Sequence, residues 1–269
     1  MFGFDGHWGD LPAAHGAAIA FDLLTMLGLF LLGRRMRAGP QGFEIGVALA
    51  FAWAAYPYTD FALQSNSNDS AVAMLVTWAL LALSSAPVRG ALVAMAAAAK
   101  FAPAALAPLI VRGRSVSRRS VLLAAAAAAV VTVGAFAPFV PHGGVRALWD
   151  RTLGYQAGRE SPFSVWGQHS GLSGLHVAVE VAAAGLAVLV AFVPRGRRTT
   201  VQVAALGAAV LIALQLGAVH WFYLYIPWFA PLVFVAFLGT VRAAEAPAAA
   251  RERARVPLGA PAVPETASG

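Results

Sequence analysis

Long apolar runs recur along this 269-residue chain, and they constrain its fold more than any motif does. An α-helix needs about 20 apolar residues to cross the roughly 30 Å hydrocarbon core of a bilayer. Hydrophobic residues make up 59% of the chain and charged residues 12%, against about 45–50% and about 25% in soluble domains. The sequence therefore predicts an all-α fold, a polytopic bundle of transmembrane helices.

Seven of these runs predict full crossings of the membrane. The predicted spans are residues 13–32, 42–56, 71–83, 120–140, 174–193, 201–218 and 222–238. Together they define a predicted transmembrane helical domain at residues 1–241. Residues 242–269 are rich in Ala, Pro and Arg, and they predict a disordered cytoplasmic tail.

The distribution of arginine indicates which loops face the cytoplasm. Of the eighteen arginines, all but Arg146, Arg151 and Arg159 lie in a set of short loops and in the tail. This set comprises residues 34–37, 84–90, 112–119, 194–198 and the tail from residue 242. Short cytoplasmic loops of membrane proteins carry an excess of Lys and Arg. We therefore expect a multi-pass protein of the cytoplasmic membrane, with the N-terminus and residues 57–70 and 141–173 facing outward.

Residues 90–111 conflict with this orientation if they cross the membrane once, because the arginines that follow would then lie outside. The motif KFAP, from Lys100 to Pro103, interrupts this stretch, and proline both lacks a backbone donor and restricts the preceding residue. Two half-helices of about eleven residues are each too short to cross. The stretch is therefore predicted to be a re-entrant broken helix that dips into the membrane and returns.

Lys100 is the only lysine of the chain, and it lies inside this apolar stretch. An intramembrane cation is costly unless it is paired or hydrated, which makes Lys100 a candidate substrate-binding residue. It could neutralise the phosphate of a lipid-linked substrate. Alternatively, it snorkels to the cytoplasmic interface or pairs with Asp22 or Glu44 for packing.

Gln64 to Asp69 form a run of six polar residues in an outward-facing loop. Asn66, Asn68 and Asp69 are candidate contacts for a sugar or a metal ion. Asp69 also suits a helix N-terminus, where the helix dipole favours a carboxylate, so capping is the alternative role for it.

Further candidates lie at the N-terminus. Asp5 and Asp10 flank an imidazole outside the first span, and either could act as a general base or hold a divalent cation. The chain has no cysteine, which excludes thiolate metal sites and disulfides. No metal centre and no other cofactor are predicted.

Two pairs of polar residues lie within predicted spans. His15 and Asp22 are seven residues apart and share a helix face, which we expect to look into the bundle. His176 and Glu180 are four residues apart, so the two side chains can bond each other.

The long outer segment 141–173 contains a further set of candidates. Trp149, Leu153 and Tyr155 predict a short helix at the membrane interface. Arg151, Arg159 and His169 could hold a phosphate or diphosphate, or could instead bind lipid headgroups or pair with nearby carboxylates. His220 lies in an aromatic belt and is either interfacial or part of the site.

Four strings of the sequence resemble those of a known superfamily. They are AWAAYPYTDFALQSNSNDS, AAAAKFAPAALAPL, LWDRTLGYQAGRESPFSVWG and HWFYLYIPWFAPL. They are similar to strings of GT-C membrane glycosyltransferases, in particular actinobacterial relatives of polyprenyl-phosphate-mannose-dependent mannosyltransferases. Lys100 matches the lysine-before-proline position of this family, and Asn68 with Asp69 matches its outer polar motif.

The resemblance implies transfer of a sugar, of the mannose type, from a polyprenyl-phosphate carrier at the outer face of the membrane. The implied acceptor is a glycan or glycolipid of the cell envelope, and nucleic acid is not an expected partner. Family members usually have further membrane segments and an acidic outer loop before the stretch that resembles DGHWGDLPAAH. The chain is therefore expected to be N-terminally shortened and to lack the family's usual catalytic acid. Asp5 and Asp10 lie nearest the end of that loop and are the candidate catalytic residues, although neither matches the family's acid.

Two other functions are compatible with the sequence. Broken helices and intramembrane charges also occur in transporters and flippase-like carriers. A non-catalytic membrane protein would explain a missing catalytic loop.

Overall fold

A computed structural model describes residues 12–65, 67–114, 117–155 and 161–240. Throughout these ranges the regular secondary structure is helical, so the predicted all-α class is confirmed. Asp5, Asp10, Asn66, Arg159 and the predicted tail 242–269 lie outside the described residues. The helices are α1 (Pro12–Met36), α2 (Gly39–Ala54), α3 (Pro57–Gln64), α4 (Asp69–Leu81), α5 (Ala86–Ala99), α6 (Ala107–Arg112), α7 (Arg118–Phe136), α8 (Gly144–Trp149), α9 (Val165–Gln168), α10 (Ser173–Leu189), α11 (Thr200–Gly217) and α12 (Ile226–Leu238).

Three helical segments are long and apolar enough to cross a membrane: Pro12–Met36, Arg118–Phe139 and Thr200–Gly217. The other four predicted spans form helices α2, α4, α10 and α12, of 16, 13, 17 and 13 residues. At a rise of 1.5 Å per residue, a helix of 13 residues extends only about 20 Å. The structure is thus consistent with a membrane protein, and three of its segments have the length and the apolar composition that a full crossing needs.

One end of the bundle carries most of the described arginines, all except Arg146 and Arg151, and we call it the arginine end. The Arg35 guanidinium at the end of α1 donates to the carbonyl oxygen of Leu81 at 3.1 Å, which joins the ends of α1 and α4. The Arg198 backbone N–H donates to the carbonyl oxygen of Arg114 at 2.8 Å, and Arg114 Nε donates back to Arg198 O at 3.3 Å. Loops that are far apart in sequence therefore meet at a single end.

The opposite end carries aromatic side chains, and we call it the aromatic end. Here Trp166 Nε1 donates to the carbonyl oxygen of Leu216 at 2.8 Å, so that α9 is tied to the end of α11. His176 Nε2 lies 2.7 Å from the carbonyl oxygen of Gly217, which joins the start of α10 to the same end. The long helices pack against one another between these ends, among them the neighbouring pairs α1 with α2, α1 with α4, and α11 with α12.

Residues 86–112 instead double back, so that the start of α5 and the end of α6 lie together at the arginine end. Arg89 near the start of α5 donates to the carbonyl oxygens of Ile110 and Val111, at 2.9 Å from Nε and 2.9 Å from Nη2. Its Nη1 reaches Leu83 O at 3.1 Å, and its Nη2 reaches Ser120 Oγ at 2.8 Å. A guanidinium offers five donors in a rigid fork, which suits it to bind several carbonyl oxygens at once. The predicted reversal of this stretch is therefore observed in the backbone.

The core lies where α4, α11 and α12 meet, and α7 lies outside it. Ala124 is the one fully buried residue of α7, and large apolar side chains such as Leu122 and Val130 are 68% and 72% exposed. The helix approaches α5 closely because Gly90 has no side chain, and a Cβ there would overlap the carbonyl oxygen of Ala124. Such exposure of large apolar groups is expected for a surface that faces lipid.

The segments 57–70 and 141–173 were predicted to face outward, and one prediction of their local structure was wrong whereas another is confirmed. Residues 57–64 were predicted to be a loop, but they form α3, which begins at Pro57, a residue suited to the first turn of a helix. The short helix predicted around Trp149 is confirmed: α8 continues into a π-helical turn at Asp150–Gly154. Trp149 and Tyr155 are 57% and 61% exposed.

Candidate functional site around Lys100 and Asp69

Lys100 lies at the tip of the doubled-back segment, directly after α5. Its backbone is extended, with φ −149° and ψ 142°, and a 3₁₀ helix of residues Ala102–Leu106 follows. The ring of a proline clashes with the carbonyl group four residues earlier in an α-helix. For Pro103 that residue is Ala99, the last residue of α5, so the proline explains where the helix ends.

The Lys100 side chain pairs with the carboxylate of Asp69. Lys100 Nζ lies 3.3 Å from Asp69 Oδ1, and the two side chains are 30% and 2% exposed. The alternative prediction that Lys100 pairs with Asp22 or Glu44 is wrong, because the carboxylate within ion-pair distance of its ammonium group is that of Asp69. The lysine side chain points to the start of α4, whereas the arginine end lies at the opposite end of that helix, where Leu81 accepts from Arg35.

The Asp69 carboxylate is held on both oxygens. Trp228 Nε1 donates to Oδ1 at 2.8 Å, and the Ser67 hydroxyl donates to Oδ2 through a short hydrogen bond. Asp69 lies in the first turn of α4, yet its oxygens bond to side chains rather than to the backbone N–H groups of the helix, so it does not act as a hydrogen-bonding cap. With Trp228 and Ser67 holding its two oxygens, the carboxylate is fixed in place and positions the lysine.

Two aromatic rings, those of Trp228 and Tyr225, lie beside this ion pair on the side of α12. Tyr225 stacks on Trp228 with ring centroids 4.3 Å apart. A larger group, the aromatic cluster, connects α3 with the loop before α12, at centroid distances between 5.5 and 6.4 Å. Its members are Tyr56, Tyr58, Phe61, Trp221, Phe222 and Tyr223. Such ring faces offer flat apolar area with few rotatable bonds, and ligand sites are typically lined by them.

Gln215 fixes the loop that carries these rings. Its Nε2 donates to the carbonyl oxygen of Tyr225 at 2.7 Å, and its Oε1 accepts from Trp221 Nε1 at 3.3 Å. Sequence reasoning missed Gln215 and Trp228 as site residues. The sequence showed Trp228 only as part of an apolar span. Gln215 could have been found, because an isolated glutamine within a predicted span is a signal of a buried polar role.

The remaining predicted site residues are less closely connected. Asn68 is exposed, and its carbonyl oxygen accepts from Ala71 N in the first turn of α4. Arg151 and His169 are exposed and form no ion pair with any described residue. The His220 ring lies edge-on to Phe163, 6.0 Å between centroids, next to the aromatic cluster. Of the predicted binding residues, the structure thus joins Lys100 directly to Asp69.

The predicted contact between His176 and Glu180 is confirmed, whereas of His15 and Asp22 only Asp22 faces into the bundle and His15 is exposed. Asp22 faces α2, where its Oδ1 accepts from Trp53 Nε1 at 2.7 Å. His176 Nε2 and Glu180 Oε1 are 3.4 Å apart. Neither arrangement collects enough ligands for a metal ion, and the described part of the chain contains no group of three or more His, Cys, Asp or Glu side chains that could hold one.

Comparison with known proteins adds no family assignment. No protein-family model, no curated protein and no solved structure matches the chain.

Proposed function

We propose that this chain is a multi-pass membrane glycosyltransferase that binds a polyprenyl-phosphate-linked sugar, of the mannose type, at the outer face of the cytoplasmic membrane. The observation that carries the proposal is the Lys100–Asp69 pair at the tip of the broken helix. The only lysine of the protein is held by a buried carboxylate, while 30% of the lysine side chain stays exposed beside aromatic rings.

The ammonium group of Lys100 supplies the cation that the leaving phosphate needs. An ammonium has three N–H donors, and Asp69 occupies one direction around it. The other donors can bond the phosphate oxygens and stabilise the negative charge that develops when the sugar–phosphate bond breaks. Because Asp69 fixes the lysine beforehand, little reorganisation is required when the phosphate binds.

The aromatic cluster suits the other half of such a donor. Ring faces pack against the apolar faces of a sugar, and the polyprenyl chain fits a lipid-facing bundle surface. In this proposal seven spans and one re-entrant hairpin place the aromatic end outside, with the arginines inside. Asp5 and Asp10 remain the predicted candidates for the carboxylate that activates the acceptor hydroxyl.

One observation favours a second function, a carrier that moves a lipid-linked sugar without chemistry. The broken helix of α5, the 3₁₀ turn and α6 is of a kind that lines transport sites. The two functions differ in what they do with the bound sugar. The enzyme transfers it to an acceptor, whereas the carrier delivers it unchanged to the other leaflet.

Binding of the donor is the first measurement. Purified protein in a neutral detergent is incubated with radiolabelled polyprenyl-phosphate mannose, and bound label is measured with and without excess unlabelled polyprenyl phosphate. We expect Lys100→Met to reduce affinity at least tenfold and Lys100→Arg to retain most of it. Arg146→Met is the matched control, because it removes one cation from an exposed helix beyond the end of α7; it is expected to change affinity less than twofold.

The fate of the sugar separates the two functions. In proteoliposomes with a mannose-type acceptor, the enzyme produces labelled acceptor, whereas the carrier produces only translocated donor. If the wild-type protein retains polyprenyl-phosphate mannose no better than it retains plain polyprenol, both functions are refuted.

A further inference from the structure

A separate feature lies at the arginine end, away from Lys100. A groove of about 560 Å³ runs between α6, the start of α7 and the loop that follows α10. Apolar side chains, among them Val111, Val121 and Phe192, form most of its wall, and Arg112 and Arg195 line it as well. The groove therefore combines an apolar surface with two guanidinium groups.

Arg112 is a charged side chain that is buried although two of its nitrogen atoms have no hydrogen-bond partner among the described residues. It is 6% exposed, and its Nη2 donates to the carbonyl oxygen of Gly196 at 3.2 Å. Its Nε and Nη1 are buried and have no hydrogen-bond partner among the described residues. Buried donors of a charged group are costly to leave unpaired, so the guanidinium favours a ligand that supplies acceptor oxygens, and an anion matches its charge as well.

A second buried guanidinium adds to the positive charge. Arg198 is 1% exposed. Its Nε and Nη2 both donate to the carbonyl oxygen of Pro194, at 3.3 and 3.2 Å. Its Nη1 has no hydrogen-bond partner among the described residues. Burial and the nearby charge of Arg112 lower the pKa of the Arg198 guanidinium. The ion pairs formed within the described ranges are Lys100–Asp69 and His176–Glu180, so neither arginine is neutralised by a described carboxylate.

We propose that this groove binds the phosphate headgroup of an anionic phospholipid, with Arg112 and Arg195 as the phosphate contacts. Guanidinium groups bind phosphate oxygens through forked, charge-assisted hydrogen bonds. The apolar wall beside them fits an acyl chain. A free phosphate ion would leave this wall uncovered. The end of the bundle is also suitable, since basic pockets between transmembrane helices on the cytoplasmic side bind anionic headgroups.

Lipid retention tests this proposal without reference to any sugar. The full chain is purified in a neutral detergent, and binding of phosphatidylglycerol and of phosphatidylcholine is measured by native mass spectrometry. We expect the wild type to retain phosphatidylglycerol at least tenfold more tightly than phosphatidylcholine. Arg112→Gln and Arg195→Gln are each expected to lose most of this preference.

Arg197→Gln is the matched control, because it removes the same charge from an exposed position in the same loop. It is expected to change phosphatidylglycerol binding less than twofold. If Arg197→Gln weakens binding as much as Arg195→Gln, the attraction is a general effect of surface charge, and the site is refuted. Should Arg112→Gln fail to fold, Arg195→Gln carries the comparison, since Arg195 is exposed and forms no ion pair with a described residue.

Inorganic phosphate and soluble glycerol phosphate provide the second arm. We expect neither to displace phosphatidylglycerol at millimolar concentration, because they lack the acyl chains. If either competes as well as a short-chain phosphatidylglycerol does, the groove is a site for free phosphate, and the assignment to a lipid is wrong.

Discussion

Lys100→Met should destabilise the protein, and a second substitution at Asp69 should restore part of the loss. Lys100→Met leaves a carboxylate that is 2% exposed without its counter-ion. Removing one partner of a fully buried ion pair costs about 3–5 kcal/mol, whereas exposed pairs contribute about 0–1 kcal/mol. Because the lysine is 30% exposed, we expect an intermediate loss of about 2 kcal/mol in the free energy of unfolding.

Asp69→Asn in the Lys100→Met background removes the uncompensated charge and keeps an oxygen that can accept from Trp228. The double variant should therefore be about 1 kcal/mol more stable than Lys100→Met alone. Tryptophan fluorescence follows unfolding by SDS in mixed micelles, since the chain contains seven tryptophans. A double variant that is less stable than Lys100→Met would refute the claim that the lysine compensates this carboxylate.

Other predictions concern the framework of the bundle. Gly90→Ala should lower the free energy of unfolding by about 1–3 kcal/mol, because the added Cβ would overlap the backbone of α7. Gly134→Ala is the control: it adds a Cβ in open space on α7, so it should raise the free energy of unfolding or leave it unchanged. The same SDS titration measures both variants. Arg89→Gln should cost about 3 kcal/mol or more, since several carbonyl oxygens lose their charged donor. Because the chain has no cysteine, single cysteines can be placed at chosen positions and labelled with a membrane-impermeant maleimide. Arg114→Cys should react only after the membrane is opened, and Tyr223→Cys should react in intact cells. The reverse pattern would contradict the proposed orientation.

The sequence allowed the helical class and the reversal at KFAP to be predicted, because both follow from strong local signals. Hydropathy marks the helices, and Pro103 cannot continue α5 past Ala99. The charge rule also selected a reversal over a straight crossing, and the bonds of Arg89 to Ile110 and Val111 agree with that choice.

Helix lengths and side-chain partners were harder to predict. The aromatic residues before Ile226 extend the apolar run without continuing its helix, and Pro227 suits a helix start at this point, so α12 has 13 residues. The partner of Lys100 could not be read from the sequence because several carboxylates were available, and tertiary packing selects among them. Trp228 and Asp69 are 159 positions apart, and no local pattern connects them.

That separation also has a consequence for biosynthesis. Trp228 emerges from the ribosome long after Asp69 and Lys100 have been made, so the carboxylate must enter the nascent bundle before its indole donor exists. Lys100, which follows soon after Asp69, is available to compensate the charge during that interval. The ion pair would then serve as an early assembly contact, onto which α12 docks once it has been synthesised.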